Sequence, residues 1–324
     1  MDMEAIALMN IKKFVAAMLV TLFSFTAVFG GVYLAYILNK TSLSGQITEL
    51  LDKVDSDKIN FLVMGLDDDK TRADTIMMIS VDVANNSVKL LSVPRDTKVN
   101  VGGKSIKINS TMGYKRREEL MIETLRKLTG MPIHYYVEID FAGFKDIIDV
   151  LGGVDYDVPY NMDYDDPTQN LHIHLKKGMQ HLNGQKAHDY VRFRHNNDGS
   201  APDLYALGDP GRIDAQQKFL KELLRQKLQP QYLAKAPQLI EKIYQYVTTN
   251  FSLSDALRLI GFLSDFDSAS METYVLPGEA KKEGAWYYIY DPVETKELVK
   301  NTFGFVNGKS VPASTPAPSV SPSN

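Results

Sequence analysis

A run of 25 residues without a charged side chain, at positions 14–38, constrains this chain more than any other feature. A helix rises roughly 1.5 Å per residue, so a run of this length exceeds the hydrocarbon core of about 30 Å. Lys12 and Lys13 precede the run, and nearly all other residues follow it. Because basic residues favour the cytoplasmic side, we expect a single-pass anchor with a cytoplasmic N-terminus. A cleaved signal peptide is the alternative, but its apolar stretch is usually about 7–15 residues long.

The predicted organisation places a folded domain between this anchor and a short tail. Residues 310–324 contain four Pro and five Ser, so they have almost nothing apolar to bury and we expect disorder. The predicted segments are a cytoplasmic stub at 1–13, a transmembrane anchor at 14–38, a juxtamembrane spacer at 39–57, an extracytoplasmic domain at 58–308 with its motif core at 59–228, and the tail at 309–324.

Charge and cysteine content exclude several classes of protein. The 324 residues carry 36 Lys and Arg against 40 Asp and Glu, for a net charge of −4. Nucleic-acid binding over a wide surface needs excess positive charge, so we expect no nucleic acid as the main partner. The chain has no cysteine, which excludes thiol nucleophiles, cysteine-based zinc sites and disulfides.

Apolar runs alternate with segments of helical spacing through the predicted domain. Residues 59–64, 74–81 and 88–93 have the pattern of buried strands, and Asn85-Asn86 marks a hairpin turn. This order predicts an α/β fold, in which a mixed central sheet is flanked by helices as an α-β-α sandwich. The other predicted strands are 135–139, 154–158, 274–276 and 286–290, and the predicted helices are 115–129, 141–151, 216–228, 232–248, 252–265 and 292–303.

Two aspartates stand at the ends of adjacent predicted strands. Asp67 directly follows the first strand and Asp74 opens the second, and strand ends in α/β sheets are where sites collect. Two such carboxylates can hold Mg²⁺ or Mn²⁺, which prefer oxygen ligands and accept substrate phosphates in their shell. An acidic turn without a metal is the alternative, and we expect Asp68 and Asp69 to face solvent.

Arginines are few and unusually placed. The chain has ten arginines against 26 lysines, and Arg is the side chain suited to bidentate phosphate recognition. Arg192 and Arg194 would project from one face of an extended segment, whereas they would diverge on a helix. Arg212 and Gln216 stand near a predicted helix N-terminus, a natural anion site. Five arginines lie beside turn signals or other unusual local patterns: Arg72, Arg95, Arg192, Arg194 and Arg212.

Histidines and the familiar catalytic motifs give weaker signals. His172 and His174 share one face of a predicted strand, but their spacing indicates no third metal ligand, so a solvent-facing strand is the preferred interpretation. We expect His181, His188 and His195 at the surface or at the edge of a site. The chain has no Gly-x-Ser-x-Gly elbow, Walker loop or His-Glu-x-x-His motif, so those hydrolase, NTPase and zincin classes lack their residues.

The motifs, taken in order, resemble those of the LytR-CpsA-Psr family of cell-wall enzymes. The resemblance covers residues 59–228, and the predicted anchor also fits it. Each motif is weak alone, but the ordered set is specific. The matching stretches are Met64-Gly-Leu-Asp67, Arg72-Ala-Asp-Thr-Ile-Met77, Leu91-Ser-Val-Pro-Arg-Asp96, Lys107-Ile-Asn109, Val150-Leu-Gly-Gly-Val154, residues 178–184, Tyr190-Val-Arg-Phe-Arg194 and Gly211-Arg-Ile-Asp-Ala-Gln-Gln217.

The resemblance implies a phosphotransferase. Such enzymes move a glycopolymer, such as teichoic acid or capsule, from a polyprenyl-pyrophosphate carrier to a hydroxyl of N-acetylmuramic acid in peptidoglycan, and they hold the lipid tail in an apolar tunnel. By motif position, the implied ligands of Mg²⁺ or Mn²⁺ are Asp67 and Asp74. The implied catalytic candidates are Arg95, Asp96 and Asp209, with the general base open between the two aspartates. The implied pyrophosphate-binding residues are Arg72, Arg95, Lys107, Arg192, Arg194, Arg212 and Gln216.

Two departures from the family pattern stand out. Ala215 precedes the glutamine pair where the family usually has Arg, so one positive contact is missing here or that arginine is structural in relatives. The loop between Asp67 and Arg72 is short, which can change the angle at which the two aspartates approach a metal.

Three other functions fit parts of this pattern. A pyrophosphatase acting on the same carrier would need the same residues, with water as the acceptor. A transcriptional attenuator would need a basic cytoplasmic surface, which the acidic balance beyond the anchor speaks against. A passive lipid- or glycan-binding protein would need the arginines but not the aspartates, so replacing Asp67 and Asp74 by Ala separates it from the enzymes.

Overall fold

The computed structural model describes residues 58–200, 209–229, 232, 236–259, 262, 266–306 and 308–310. The predicted stub, anchor and spacer lie outside these residues, as does the tail beyond residue 310. Within the described part of the chain, no helix has the length and apolar content needed to cross a bilayer.

Strands and helices alternate along the described chain, as the sequence predicts. The strands are β1 Lys58–Leu66, β2 Ala73–Asp82, β3 Ser87–Ser92, β4 Lys98–Val101, β5 Lys104–Lys107, β6 Tyr135–Asp140, β7 Val154–Val158, β8 Met162–Asp166, β9 Leu171–Leu175, β10 Gly178–Leu182, β11 Thr248–Thr249, β12 Glu272–Val275, β13 Gly278–Glu283, β14 Ala285–Tyr290, β15 Phe305–Val306 and β16 Lys309–Ser310. The helices are α1 Arg117–Thr129, α2 Phe141–Val150, α3 Gly184–Arg192, α4 Asp209–Lys227, α5 Ala236–Ile243, α6 Leu253–Arg258 and α7 Pro292–Leu298.

The central sheet is mixed, which confirms the predicted α/β class. Its strands lie in the order β11-β6-β1-β2-β3-β12. β1, β2 and β3 are antiparallel neighbours, and Asn86 enters the left-handed region at φ 47° in the turn that joins β2 to β3. β6 pairs with β1 in parallel, so both strands end at the edge where β2 begins. That edge carries most of the predicted site residues.

Two apolar clusters hold the described elements together. In the first, Leu62 and Met64 of β1 lie on one face of the sheet and pack with Leu125 of α1. The second surrounds the smaller strands β7 to β10 and includes Tyr190 of α3 and Phe219 of α4. The second cluster thereby holds the end of α3 and the body of α4 against the smaller strands.

Several predicted boundaries are wrong. α4 begins at Asp209, well before the predicted start at 216, because a proline is tolerated in the first turn of a helix. The predicted helix at 232–248 gives way to a 3₁₀ turn at Tyr244–Tyr246 and then to β11, which pairs with β6. The start of the predicted disordered tail is ordered, since β16 pairs with β15. The start predicted for the helix at 252–265 agrees with the structure, because Ser252 is the N-cap of α6 and its hydroxyl accepts the Asp255 N–H.

Candidate active site

The pairing of β1 with β2 shifts at the edge where Asp74 lies. Gly65 faces Thr75, but the next residue, Leu66, faces Ala73, so Asp74 is the extra residue of a β-bulge. A Cβ at Gly65 would lie 3.1 Å from the Cβ of Thr75, so the glycine permits this close approach. Because a bulge re-aims the side chain that it carries, the irregularity itself positions Asp74.

Asp74 is surrounded by arginines. Nη1 of Arg95 donates to Oδ1 of Asp74 at 2.5 Å, and Nη2 of Arg212 donates to the backbone oxygen of Asp74 at 3.2 Å. Burial alone would raise the pKa of Asp74, but the charges of Arg95, Arg212 and Arg194 bring the pKa below its usual value of 3.8. Asp74 is therefore ionised at neutral pH.

α4 supplies the other wall of the site. Arg212 lies in its first turn and is only 5% exposed. Nε2 of Gln216 donates to the backbone oxygen of Val191 at 3.2 Å, and the hydroxyl of Thr75 donates to Oε1 of Gln216 at 3.4 Å. The backbone of Asp209 opens the helix, and its side chain lies outside the described residues. These contacts join β2, α3 and α4 around one point.

The segment with two alternate arginines is helical for its first part, so the helical one of the two alternatives applies up to Arg192. Tyr190 is a core residue, with its hydroxyl 2.9 Å from that of Tyr156. α3 ends at Arg192, and the following Phe193 is extended at ψ 143°. This change of direction brings Arg192 and Arg194 to the same cavity although they share no strand face.

Two neighbours that the sequence did not single out position Arg192. Its guanidinium lies over the ring of Phe141, with the central carbon 4.4 Å from the ring centroid, and Nη2 donates to Oε1 of Gln169 at 2.8 Å. Phe141 is the first residue of α2 and Gln169 stands in the β8–β9 turn. No local sequence signal identifies either residue, because both contacts are made across the fold.

These side chains enclose a cavity of about 110 Å³. We call it the arginine cavity. Three arginines against one aspartate make its lining positive, and guanidinium groups in such a fork suit phosphate oxygens. Arg95 does not line the arginine cavity. It lines a smaller cavity, to which Asp74, Arg212 and Gln216 also contribute. The lining residues are Asp74, Thr75, Phe141, Tyr164, Gln169, Leu171, Val191, Arg192, Arg194, His195, Arg212 and Gln216.

Besides Arg95, four predicted site residues with described side chains do not line the arginine cavity. Oδ1 of Asp67 accepts the backbone N–H groups of Thr71 and Arg72 at 2.9 and 3.1 Å, so Asp67 holds the short loop in shape. The Arg72 side chain is exposed. Asp96 and Lys107 pair with each other, with Nζ and Oδ1 3.0 Å apart. Asp68 and Asp69 are exposed, as expected.

Asp67 and Asp74 offer oxygen atoms to a hard cation. One oxygen of Asp67 is used by the loop and one of Asp74 by Arg95, while Oδ2 of each makes no hydrogen bond to any described residue. Mg²⁺ is usually held by one or two carboxylates together with phosphate oxygens and water. The donor set therefore fits Mg²⁺ or Mn²⁺ that shares its ligands with a bound phosphate.

Strand pairing brings the histidines to partners that sequence spacing does not show. On the β8–β9 hairpin, Nδ1 of His172 lies 2.5 Å from Oδ1 of Asp165, and Nδ1 of His174 lies 2.7 Å from Oδ1 of Asp163. His172 and His174 are both exposed, which confirms the solvent-facing strand. Asp163, Asp165 and His174 offer ligand atoms within 4.8 Å of one another, a grouping that strand pairing creates and sequence spacing does not show. His188 is buried rather than at the surface, because it packs against α2.

A mixed α/β domain with a half-buried aspartate and three arginines around one cavity defines an anion-binding site at a sheet edge. Comparisons with known proteins agree with this class. The LytR_cpsA_psr family model matches residues 35–303. The polyisoprenyl-teichoic acid–peptidoglycan teichoic acid transferase TagV of Bacillus subtilis (strain 168) is 32% identical over 276 residues, which cover 82% of this chain and 67% of that protein.

Two further comparisons extend this result. The transferase of the same description named TagU, from Bacillus cereus (strain AH820), is 32% identical over 253 residues, or 76% of this chain and 78% of that protein. The crystal structure of B. subtilis TagV has a TM-score of 0.65 and 30% identity, covering 77% of this chain and 98% of that one. The chain belongs to the LytR_cpsA_psr family.

The departure at position 215 has a structural account in this chain. Ala215 is 2% exposed and lies in the second apolar cluster, with Tyr190 and Phe219. A small apolar side chain fills this position without a charge to bury. Ala215 therefore contributes to packing, and the arginine cavity is formed by its neighbours on α4.

Proposed function

We propose that this chain is a phosphotransferase that moves a glycopolymer from a polyprenyl-pyrophosphate carrier to peptidoglycan in cell-wall assembly. The observation that carries the proposal is the convergence of Arg192, Arg194 and Arg212 on one cavity beside Asp74. The names of the TagV and TagU relatives support a teichoic acid or a related glycopolymer as the donor and peptidoglycan as the acceptor.

The reaction joins an acceptor hydroxyl to a phosphorus atom. The hydroxyl oxygen of N-acetylmuramic acid attacks the phosphorus that carries the glycopolymer. A new P–O bond forms, the bridging P–O bond of the pyrophosphate breaks, and polyprenyl phosphate leaves with the bonding electrons while the hydroxyl proton passes to a base. Such transfer depends on positioning and charge neutralisation rather than on covalent catalysis.

The residues of the arginine cavity supply these two effects. Arg192, Arg194 and Arg212 bind the pyrophosphate oxygens through charge-assisted hydrogen bonds and neutralise the charge that builds up on the leaving group. Arg95 orients Asp74 through their hydrogen bond. Asp96 and Asp209 stay the predicted candidates for the base, and Asp96 is paired with Lys107.

Metal and membrane are further parts of the proposal. Asp67 and Asp74 would hold Mg²⁺ or Mn²⁺, which supplies Lewis-acid stabilisation of the transferring phosphoryl group. We also propose that residues 14–38 anchor the chain in the cell membrane, with the N-terminus in the cytoplasm and the domain outside. The anchor would keep the cavity beside its lipid-linked substrate.

A transfer assay with the full chain in detergent tests the proposal. The substrates are a polyprenyl-pyrophosphate-linked saccharide and peptidoglycan oligomers, with Mg²⁺ present and the Asp74→Ala protein alongside. We expect a saccharide–phosphate–glycan product from the wild type and none from Asp74→Ala. The matched control is Asp68→Ala, since Asp68 is exposed in the same loop region and should retain transfer.

Other outcomes would point to the alternative functions. Release of free saccharide phosphate without a glycan adduct would indicate a pyrophosphatase with water as acceptor. Tight lipid binding without turnover, unchanged when Asp67 and Asp74 are both replaced by Ala, would indicate a passive binding protein.

A further inference from the structure

A second cavity opens next to the arginine cavity. It has a volume of about 310 Å³, within the range of about 300–1,000 Å³ that small-molecule sites occupy. Phe141 lines the arginine cavity, whereas Asp140, Ala142 and Gly143 line the second one, so the two cavities adjoin at the first turn of α2. We call the second the carboxylate cavity, after the residues that it contains: Glu138, Asp140 and Asp146.

Glu138 carries an unsatisfied acceptor. It is 3% exposed, and its Oε2 accepts a hydrogen bond from Nη2 of Arg117 at 2.8 Å. Its Oε1 is buried and has no hydrogen-bond partner in the described part of the chain. Buried polar atoms in folded proteins are nearly always hydrogen-bonded, so an unpartnered one needs an explanation. A hydrogen-bond donor from a bound molecule would satisfy this oxygen. The donor can be a hydroxyl, an amide N–H or an ammonium group.

The charges of the lining are largely neutralised by each other. Nζ of Lys70 lies 2.8 Å from Oδ2 of Asp140, and Arg117 pairs with Glu138. Among the described residues Asp146 alone of the three carboxylates makes no ion pair. Burial raises the pKa of Glu138, although the charge of Arg117 opposes this shift. A lining of this kind suits a neutral ligand rich in hydroxyl and amide groups.

The position of the carboxylate cavity relates its ligand to the proposed phosphoryl transfer. Lys70 lines the carboxylate cavity and belongs to the same short loop that Asp67 holds in shape. Tyr246 also lines the cavity beside the first turn of α2, where a Cβ on Gly143 would lie 2.6 Å from the backbone oxygen of Tyr246. A ligand here would lie beside the proposed site of phosphoryl transfer.

We propose that the carboxylate cavity binds the neutral glycan strand that accepts the transferred group. This inference rests on the proposed function, and it assigns the two cavities to the two substrates. Sugar hydroxyls and acetamido N–H groups donate to Glu138 and Asp146, and the ring of Tyr246 covers an apolar face of the sugar.

Binding of two probes to the full chain in detergent tests this assignment. The probes are a neutral tetrasaccharide of alternating N-acetylglucosamine and N-acetylmuramic acid, in which each lactyl carboxyl group is amidated as it is in peptidoglycan, and inorganic pyrophosphate for the arginine cavity. We expect Glu138→Gln and Asp146→Ala to weaken tetrasaccharide binding by about tenfold each, the loss expected for one hydrogen bond to a charged group. Both should leave pyrophosphate affinity unchanged, and the control Glu123→Gln, exposed on α1, should change neither affinity.

Three results would overturn the assignment. The first is a wild-type chain that does not bind the tetrasaccharide, and the second is full affinity in both variants. The third is loss of tetrasaccharide binding on Arg212→Lys with no loss on Asp146→Ala, which would place the sugar in the arginine cavity. Asp146 is exposed, so its variant is informative even where Glu138→Gln fails to fold.

A failure of the acceptor-site assignment can be distinguished from a failure of the proposed transferase function. A wild-type chain that binds the tetrasaccharide in the carboxylate cavity but transfers nothing contradicts the transferase and leaves the saccharide site. A chain that transfers normally, while Glu138→Gln and Asp146→Ala keep the wild-type KM for the acceptor, contradicts the acceptor site alone.

Discussion

The arginine cavity and the carboxylate cavity lie at one edge of the same sheet, and each contains a carboxylate held by an arginine. Asp74 pairs with Arg95 at 2.5 Å, and Glu138 pairs with Arg117 at 2.8 Å. The two pKa values nevertheless move in opposite directions, below the usual value for Asp74 and above it for Glu138.

The surroundings of each pair explain the difference. Burial raises the pKa of both carboxyl groups. The charges of Arg212 and Arg194 lower the pKa of Asp74 further, whereas the negative charge of Glu118 raises the pKa of Glu138. One arginine partner therefore does not decide the direction in which the pKa of a carboxyl group moves, because burial and the remaining neighbours also contribute. The same neighbours make one cavity suited to anions and the other to neutral polar groups.

The largest effect is expected from breaking the arginine cavity alone. Arg212→Ala removes a buried guanidinium that contacts the backbone of Asp74, so kcat/KM for transfer should fall by about 10²–10³-fold, as for loss of one preorganised donor. Steady-state kinetics with both substrates measures this loss. Arg225→Ala is the matched control, since Arg225 lies on the same helix but pairs with Glu222 at the surface. Equal losses in the two variants would contradict a role for the cavity.

A smaller effect is expected from trying to add an arginine beside the arginine cavity. Ala215→Arg forces a long charged side chain into the second apolar cluster, so the free energy of unfolding should fall by about 1–3 kcal/mol, or more if the charge stays buried. Urea denaturation measures the loss. Lys218→Arg, exposed on the same helix, should be neutral. Unchanged stability with higher activity would show that the new guanidinium reaches the cavity instead.

Most of the central fold could be predicted from local patterns. The apolar runs of β1, β2 and β3 and the Asn85-Asn86 turn correspond to the observed antiparallel strands. The start of α4 could not be predicted from local patterns, because a Pro-Gly pair ends a helix as readily as it begins one. The hairpin of β4 and β5 was missed for a related reason: its strands are short, polar and partly exposed.

The candidate site, like the fold, could be predicted only in part from the sequence. The motifs identified Asp74, Arg192, Arg194, Arg212 and Gln216, which the structure brings to one cavity. The motifs could not show the bulge that turns Asp74, because a register shift depends on the partner strand. The carboxylate cavity has no motif at all, since its residues come from separate elements with no regular spacing.

A subtler effect should appear in the pH dependence of stability, and it sharpens the comparison of the two carboxylates. The pKa of Asp74 is lowered on folding, so its contribution is present above 3.8 and is lost as pH falls through the folded value. The pKa of Glu138 is raised, so its contribution is present below 4.5 and is lost as pH rises through the folded value.

Urea unfolding of three proteins, from about pH 3 to pH 7, measures these opposite slopes. Relative to Asp74→Asn, the wild type should gain stability with rising pH at the acid end of the range. Relative to Glu138→Gln, the wild type should lose stability as pH rises above 4.5. Slopes of the same sign in the two comparisons would show that the two surroundings do not differ as the structure indicates.

The smallest effect is expected at Phe141, the residue at which the two cavities adjoin. Phe141→Leu keeps the apolar wall but removes the ring under Arg192, so KM for the lipid-linked donor should rise by about two- to fivefold, the value of one cation–π contact. Phe141→Tyr keeps the ring and should restore the wild-type KM. Because Phe141 does not line the carboxylate cavity, KM for the acceptor glycan should stay unchanged in both variants. A parallel rise in both KM values would mean that the first turn of α2 shapes the two cavities as one site, and that the division between them is not functional.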